Sequence, residues 1–236
     1  RLAGNGAALL DEPRPATLAT MAGFELAPVP KELHAARVTA PPTIDGVIDD
    51  AWATATPLRF ATDWAGRATP IATTVRVLWS ERGLYLLWEL ESAGLATDQA
   101  RPVADERIDL YREDCIELFV APDPAYRTRY FEIEVGPFGH YYDLAIDRAA
   151  KRNDAAWSGA LRIGTTRDAE QRRAIIELAI EAPDLVAALQ VGAKLPVGLY
   201  RMEGATRRQY LAAFPTYTPK PSFHVPAAFG SLLLDP

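Results

Sequence analysis

A single cysteine, Cys115, stands in the whole chain of 236 residues. No internal disulfide can staple the fold, the compartment stays open on cysteine usage, and zinc sites built on clustered thiolates are excluded. Histidine is nearly as scarce: His34, His140 and His224 share no metal-ligand spacing, so each reads as structural or exposed. Positive charge is in the minority, with 25 Lys and Arg against 31 Asp and Glu and a pI near 5.2. The resulting charge of −6 argues against nucleic acid or an anionic membrane as partner and leaves a neutral or cationic ligand. Apolar runs are short and interrupted, and none is long enough to span a membrane. A phosphate loop, a nucleophile elbow and a Gly-rich dinucleotide fingerprint are also missing, and no internal repeat is evident.

What is there is an ordinary globular composition, 49% hydrophobic and 24% charged, enough for one sizeable domain. Residues 1–39 stand apart as a Pro- and Ala-rich arm or linker without sustained period, although a short strand around His34–Thr39 already suits the fold. From residue 40 to 236 the punctuation becomes regular. Strands are expected at Thr74–Trp79, Leu84–Leu90, Asp114–Val120, Tyr130–Val135, Tyr141–Ile146, Ala160–Thr165, Ala174–Ile180, Gly198–Glu203, Gln209–Phe214 and Gly230–Leu234. The first two form a hairpin about Glu81-Arg82-Gly83. Helical period is weak, with a turn or two at Asp49–Thr54 and Ala182–Ala188. Many short strands between Gly and Pro signals predict an all-β antiparallel sandwich of jelly-roll or immunoglobulin-like kind.

The most informative run is Tyr111-Arg112-Glu113-Asp114-Cys115-Ile116-Glu117-Leu118-Phe119-Val120. Side chains alternate across a strand, so Ile116, Leu118 and Val120 share one face, and Cys115, Glu117 and Phe119 the other. If Tyr130–Val135 lies alongside, Glu117, Glu132 and Glu134 make a carboxylate patch on one sheet face. Such a patch is either a hydrogen-bonded polar surface, closed by an arginine such as Arg201, or a pair of the kind glycosidases use. Tyr111 and Asp114 stand at the strand mouth. Aromatic faces beside carboxylates suit polyhydroxylated ligands, because the ring covers C–H faces and the acid accepts from hydroxyls. A second aromatic group, Tyr217, Phe223 and His224, sits in the proline-stiffened loop before the last strand. Phe223 there either faces a ligand or packs over the sheet edge, and pattern alone does not separate the two. Trp64 and Trp157 are core anchors by the same rule, with sugar stacking as the alternative. Asp45, Asp49 and Asp50 read as turn and cap residues before Trp52, with calcium ligation as the second reading.

Taken in order, Ile44-Asp45-Gly46…Asp49-Asp50…Trp52, the hairpin Val75–Trp79…Leu84–Leu86, Asp114–Phe119, Leu199-Tyr200-Arg201 and Phe229-Gly230-Ser231-Leu232 resemble the family 9 carbohydrate-binding modules. The wider superfamily of that fold includes the DOMON domains. The resemblance covers about residues 40–235. It implies an antiparallel β-sandwich that binds sugars, often as an accessory to glycoside hydrolases of secreted bacterial systems, hence a periplasmic or extracellular place. A chain that begins at Arg1 without Met is compatible with a trimmed export precursor.

Members of that family clamp a sugar between two tryptophans, one before the Asp-x-x-Glu strand and one before the terminal Phe-Gly. Tyr111 and Phe223 hold those positions here, and Glu117 matches the acid that contacts sugar hydroxyls. Where the family has an arginine on the next strand, this chain offers Glu132. The implied ligand set is Tyr111, Asp114, Glu117, Glu132, Arg201, Phe223 and His224, with a carbohydrate as partner, no catalytic group, and calcium as the one cofactor the family suggests. Two alternatives accompany it: a haem-binding DOMON-type domain with Met202, His140 or His224 as axial ligands, and a hydrolase using Glu117 and Glu132. Because Tyr111 and Phe223 lie outside the strand alternation, truncating either is expected to weaken ligand binding and to leave the fold intact.

Overall fold

The computed structural model describes residues 32–236; most of the expected N-terminal arm, residues 1–31, lies outside them. Thirteen strands run in chain order: β1 (Glu32–Arg37), β2 (Leu58–Thr62), β3 (Ala68–Ser80), β4 (Gly83–Leu90), β5 (Cys115–Val120), β6 (Arg129–Val135), β7 (Tyr141–Asp147), β8 (Arg152–Asp154), β9 (Leu161–Asp168), β10 (Arg173–Ile180), β11 (Lys194–Glu203), β12 (Gln209–Ala212) and β13 (Gly230–Leu234). One short helix, α1 (Pro183–Val186), and a helical turn at Asp50–Thr54 fall where weak helical period was read.

The hydrogen-bonded order is β8-β7-β6-β5-β11-β13-β1-β3-β4-β10-β9, with β12 on β11 and β2 on β3. The two halves turn their apolar faces to one core, making an all-β sandwich joined through β13 and β1. Ile116, Leu118 and Val120 of β5 with Ile133 and Val135 of β6 meet Val75, Val77 and Trp79 of β3 and Leu84, Leu86 and Trp88 of β4. The period-two alternation read for these segments therefore decides which side is core.

The pairing is antiparallel throughout except at β1, which runs parallel to both β13 and β3. The sandwich is thus antiparallel as expected but for this one strand, and the long 38–67 connection permits the exception, since only a tight hairpin forces the antiparallel direction. Leu33 and Ala35 of β1 are buried in the core. Residues 32–37 thus belong to the sandwich, not to the arm in which the 1–39 boundary placed them. Strands β2 and β8 were not anticipated.

β4 is covered on both faces: Tyr85 and Leu87 pack outward under Trp52 and Ala55. The Asp45-Gly46 turn and Trp52 converge on buried Glu177 of β10, whose carboxylate accepts from the amides of Asp45 and Gly46 and from Trp52 Nε1 at 3.0, 2.7 and 2.8 Å. The left-handed Gly46 lies against the Thr165 backbone, where a Cβ would come within 2.6 Å. This Asp-Gly…Trp segment is a clamp on the outer sheet face.

Candidate functional site

The registers of β5, β6 and β7 set a row of side chains on the face turned away from the core. Glu117 stands opposite Glu134, and Phe119 opposite Glu132; on the next strand Tyr142 stands opposite Glu134 and Leu144 opposite Glu132. On the other side of β5, Tyr200 of β11 pairs with Glu117, and Met202 in turn with Tyr210 of β12. The result is a cavity of about 600 Å³. Glu117, Glu132, Glu134, Tyr142, Leu144 and Met202 line it from the sheet, and Ile108, Asp109, Tyr111 and residues 220–224 from the loops.

Three buried carboxyls occupy its floor. One oxygen from each of Glu117, Glu132 and Glu134 lies within 4.8 Å of the others, with Glu132 in hydrogen-bonding reach of both neighbours. Removing a carboxylate from water disfavours its charge, and a second charge alongside adds to the effect. Burial first, then the like charges of Glu132 and Glu134, pushes Glu117 well above the ordinary range. Burial raises Glu134 to about 9, with Glu132 adding to it. Burial raises Glu132 to about 7, held back by its hydrogen bonds to Glu117 and Glu134. At neutral pH this floor keeps protons, so it presents hydroxyl donors as well as carboxylate acceptors.

The loop 220–224 seals one part of the cavity by stacking on the sheet. Phe223 lies on Tyr200 with centroids 4.1 Å apart, and the His224 ring lies on Phe119 at 5.0 Å. His224 Nδ1 shares a hydrogen bond of 2.8 Å with the Tyr130 hydroxyl, and its Nε2 stands 4.0 Å from a Glu132 oxygen. Burial, with the Arg148 charge second, holds this imidazole down to about 4, leaving it neutral at pH 7. Tyr111 is 42% exposed and carries the Arg112 guanidinium over its ring.

A family model described as carbohydrate family 9 binding domain-like matches residues 44–236, which takes in every residue of this cavity. The chain belongs to that family. Endo-1,4-beta-xylanase A of Thermoanaerobacterium saccharolyticum is 28% identical to it over 102 residues, 43% of this chain and 8% of that enzyme. The similarity thus spans a small part of the xylanase's own length. Two solved structures described as a family 9 carbohydrate-binding module from Caldicellulosiruptor kristjanssonii share the fold. One, in complex with cellotriose, superposes with a TM-score of 0.64 at 15% identity, covering 87% of this chain and 94% of the module. The other, in complex with glucose, gives 0.62 at 16% identity, covering 87% and 96%.

In this family 9 domain Tyr111, Glu117, Glu132, Phe223 and His224 share one cavity. Arg201 and Asp114, also expected there, do not line it. Arg201 follows the parity of Leu199, so it points between the sheets. Its guanidinium donates to the Ala72 and Glu91 carbonyls at 2.9 and 3.0 Å and pairs with Glu203 at 2.6 Å. Asp114 is buried in a loop tie, accepting from the amides of Ala96 and Gly204 at 2.7 and 2.6 Å. Phe223 both lines the cavity and is 92% buried, being 8% exposed, so the expectation that its removal leaves the fold intact is corrected. Tyr142, Leu144 and Tyr210 are lining residues that the sequence pattern did not single out, and Met202 entered only as a candidate haem ligand. Parity along Tyr141–Ile146 could have flagged the first two.

The remaining candidates resolve locally. Trp64 Nε1 donates to the Thr218 carbonyl, and Trp157 stacks on Phe131 at 4.1 Å; both are anchors. Asp49 accepts from the Ala51 amide and Asp45 from that of Val47, the capping and turn roles rather than ion ligation. His140 Nε2 donates to the Arg101 carbonyl at 3.0 Å, away from the cavity. Met202 and His224 do line it, but three carboxyls would lie against a haem placed there, a costly neighbour for an apolar macrocycle. The hydrolase alternative needs two carboxyls flanking the scissile bond, whereas Glu117, Glu132 and Glu134 stand together on one floor. Among the described residues this floor is where a cation would find three carboxylate ligands.

Proposed function

We infer that this family 9 domain is a non-catalytic carbohydrate-binding module that seats a sugar in the cavity over β5, β6 and β7. One observation carries the reading: hydroxyl-matching carboxyls and the Tyr111 and Phe223 rings line the same cavity. Glu117, Glu132 and Glu134 exchange hydrogen bonds with sugar hydroxyls, in both directions because the floor retains protons. The rings cover C–H faces, and the neutral His224 adds a polar atom at the rim. The family supports this role, as do the two solved structures of a family 9 module with cellotriose and with glucose. Likeness to a xylanase supports an accessory part in polysaccharide breakdown, and with it a periplasmic or extracellular place. No helix among the described residues is long and apolar enough to cross a membrane.

Titration calorimetry against glucose, cello-oligosaccharides, xylo-oligosaccharides and a polysaccharide panel tests this reading. Saturable binding to at least one, weakened in Tyr111→Ala, is expected. Absence of binding to every sugar at millimolar concentration would overturn it.

A further inference from the structure

We propose that Glu117, Glu132 and Glu134 form a cation subsite at the cavity floor that takes the ammonium group of an amino sugar. The proposal rests on the carbohydrate reading and names the class of sugar. The pairing of two strands, β5 carrying Glu117 and β6 carrying Glu132 and Glu134, brings one oxygen of each acid within 4.8 Å of the others, and an ammonium carries three N–H donors, one for each carboxyl. Glu117 Oε2 and Glu134 Oε2 are buried without any hydrogen-bond partner among the described residues, although both residues line the cavity. A buried carboxyl oxygen without a partner is costly, and an ammonium set against the floor displaces the protons held there, so that it meets carboxylates, which accept from a charged donor more strongly than neutral acids or amides do.

The protein's own cations do not meet this need. Arg201 lies on the other face of β11, spent on Glu203. Lys220, which also lines the cavity, makes no ion pair among the described residues with the three acids. The His224 imidazole is neutral. A bare metal ion would also satisfy three carboxyls, yet the cavity of about 600 Å³ with aromatic side chains on its lining is far larger than an ion requires. Its rings have no role in holding one. A sugar with an ammonium directed at the floor uses both features together.

The test is calorimetry on the full chain in neutral buffer containing EDTA, so that no metal carries the result. The probes are a fully deacetylated glucosamine trimer, its N-acetylated counterpart and cellotriose. The deacetylated trimer should bind at least tenfold more tightly than either of the others. In a Glu117→Gln/Glu134→Gln variant, and in Glu134→Gln alone should the double variant fail to fold, this ratio should collapse toward one. Equal or weaker binding of the deacetylated trimer by the wild type overturns the cation subsite while leaving the carbohydrate reading standing. A preference that persists in both variants overturns the assignment to these acids. Failure of all three sugars together with the wider panel overturns the carbohydrate reading itself, and this subsite with it.

Discussion

Phe223 lies flat on Tyr200, with ring centroids 4.1 Å apart and planes 8° from parallel. The Tyr200 hydroxyl also reaches the Phe223 carbonyl at 3.4 Å, so β11 holds both the side chain and the backbone of the C-terminal loop. One ring therefore closes the outer core and lines the cavity. Phe223→Ala should lose on the order of 3 kcal/mol of stability, as for a largely buried phenylalanine, and sugar affinity with it. Phe223→Leu should recover most of the melting temperature and less of the affinity. Thermal melts and calorimetry on the same two variants check this; an unchanged melting temperature in Phe223→Ala would refute the stacking role.

Tyr111 provides the contrast. It sits on a loop, 42% exposed, with a guanidinium rather than the core against it. Tyr111→Ala should change stability by no more than about 0.5 kcal/mol, as surface substitutions do. It should weaken sugar binding by about 1 kcal/mol, the usual worth of an aromatic contact. An affinity equal to wild type would remove Tyr111 from the site.

Arg201 ties the two sheets together by spanning from β11 to the carbonyls of Ala72 and Glu91. Arg201→Met would leave those carbonyls and the buried Glu203 carboxylate without their partner. Truncating one side of a buried pair costs about 3–5 kcal/mol, on the order of 10 °C in melting temperature for a domain of this size. Sugar affinity measured well below the melt should stay at the wild-type value, because the side chain points away from the cavity. A loss of affinity without loss of stability would return Arg201 to the ligand site.

These contrasts mark what alternation along single strands reveals and what it does not. The faces of β5 and β6 follow from period two alone, which is why Glu117, Glu132 and Glu134 were legible as one patch. Arg201 was assigned to that patch because its own parity was not carried across to β5. Its partner there is Ile116, a core residue, and that register is fixed by long-range pairing rather than by a local pattern. Asp114 misled for another reason: a loop acid that satisfies two amides looks, in sequence, the same as one that awaits a ligand. The parallel entry of β1 between β13 and β3 joins the two ends of the described chain, and no window of sequence contains both.

The last expectation concerns pH. Glu132 and Glu134 have folded values of about 7 and about 9 against an ordinary 4.5, and Glu117 is raised as well. The folded protein thus holds protons that the unfolded chain releases. Their stabilising contribution is fully present below about pH 4.5 and is lost as pH rises through 7 and then 9. His224 works in the opposite sense: its folded value of about 4 lies below the ordinary 6.5, so its contribution is present above 6.5 and fades as pH falls toward 4. Stability of the ligand-free protein in EDTA should therefore be greatest in mildly acidic solution and decline toward pH 9. A difference of one bound proton is worth about 1.4 kcal/mol per pH unit, or about 2–4 °C in a domain of this size. Glu134→Gln replaces the acid with a neutral group of the same shape. It should flatten the alkaline decline, melting above the wild type at pH 9 and close to it at pH 5. A wild-type melting temperature that holds level or rises from pH 6 to 9, or a variant that declines in parallel with it, would show that these acids do not keep their protons in the folded state.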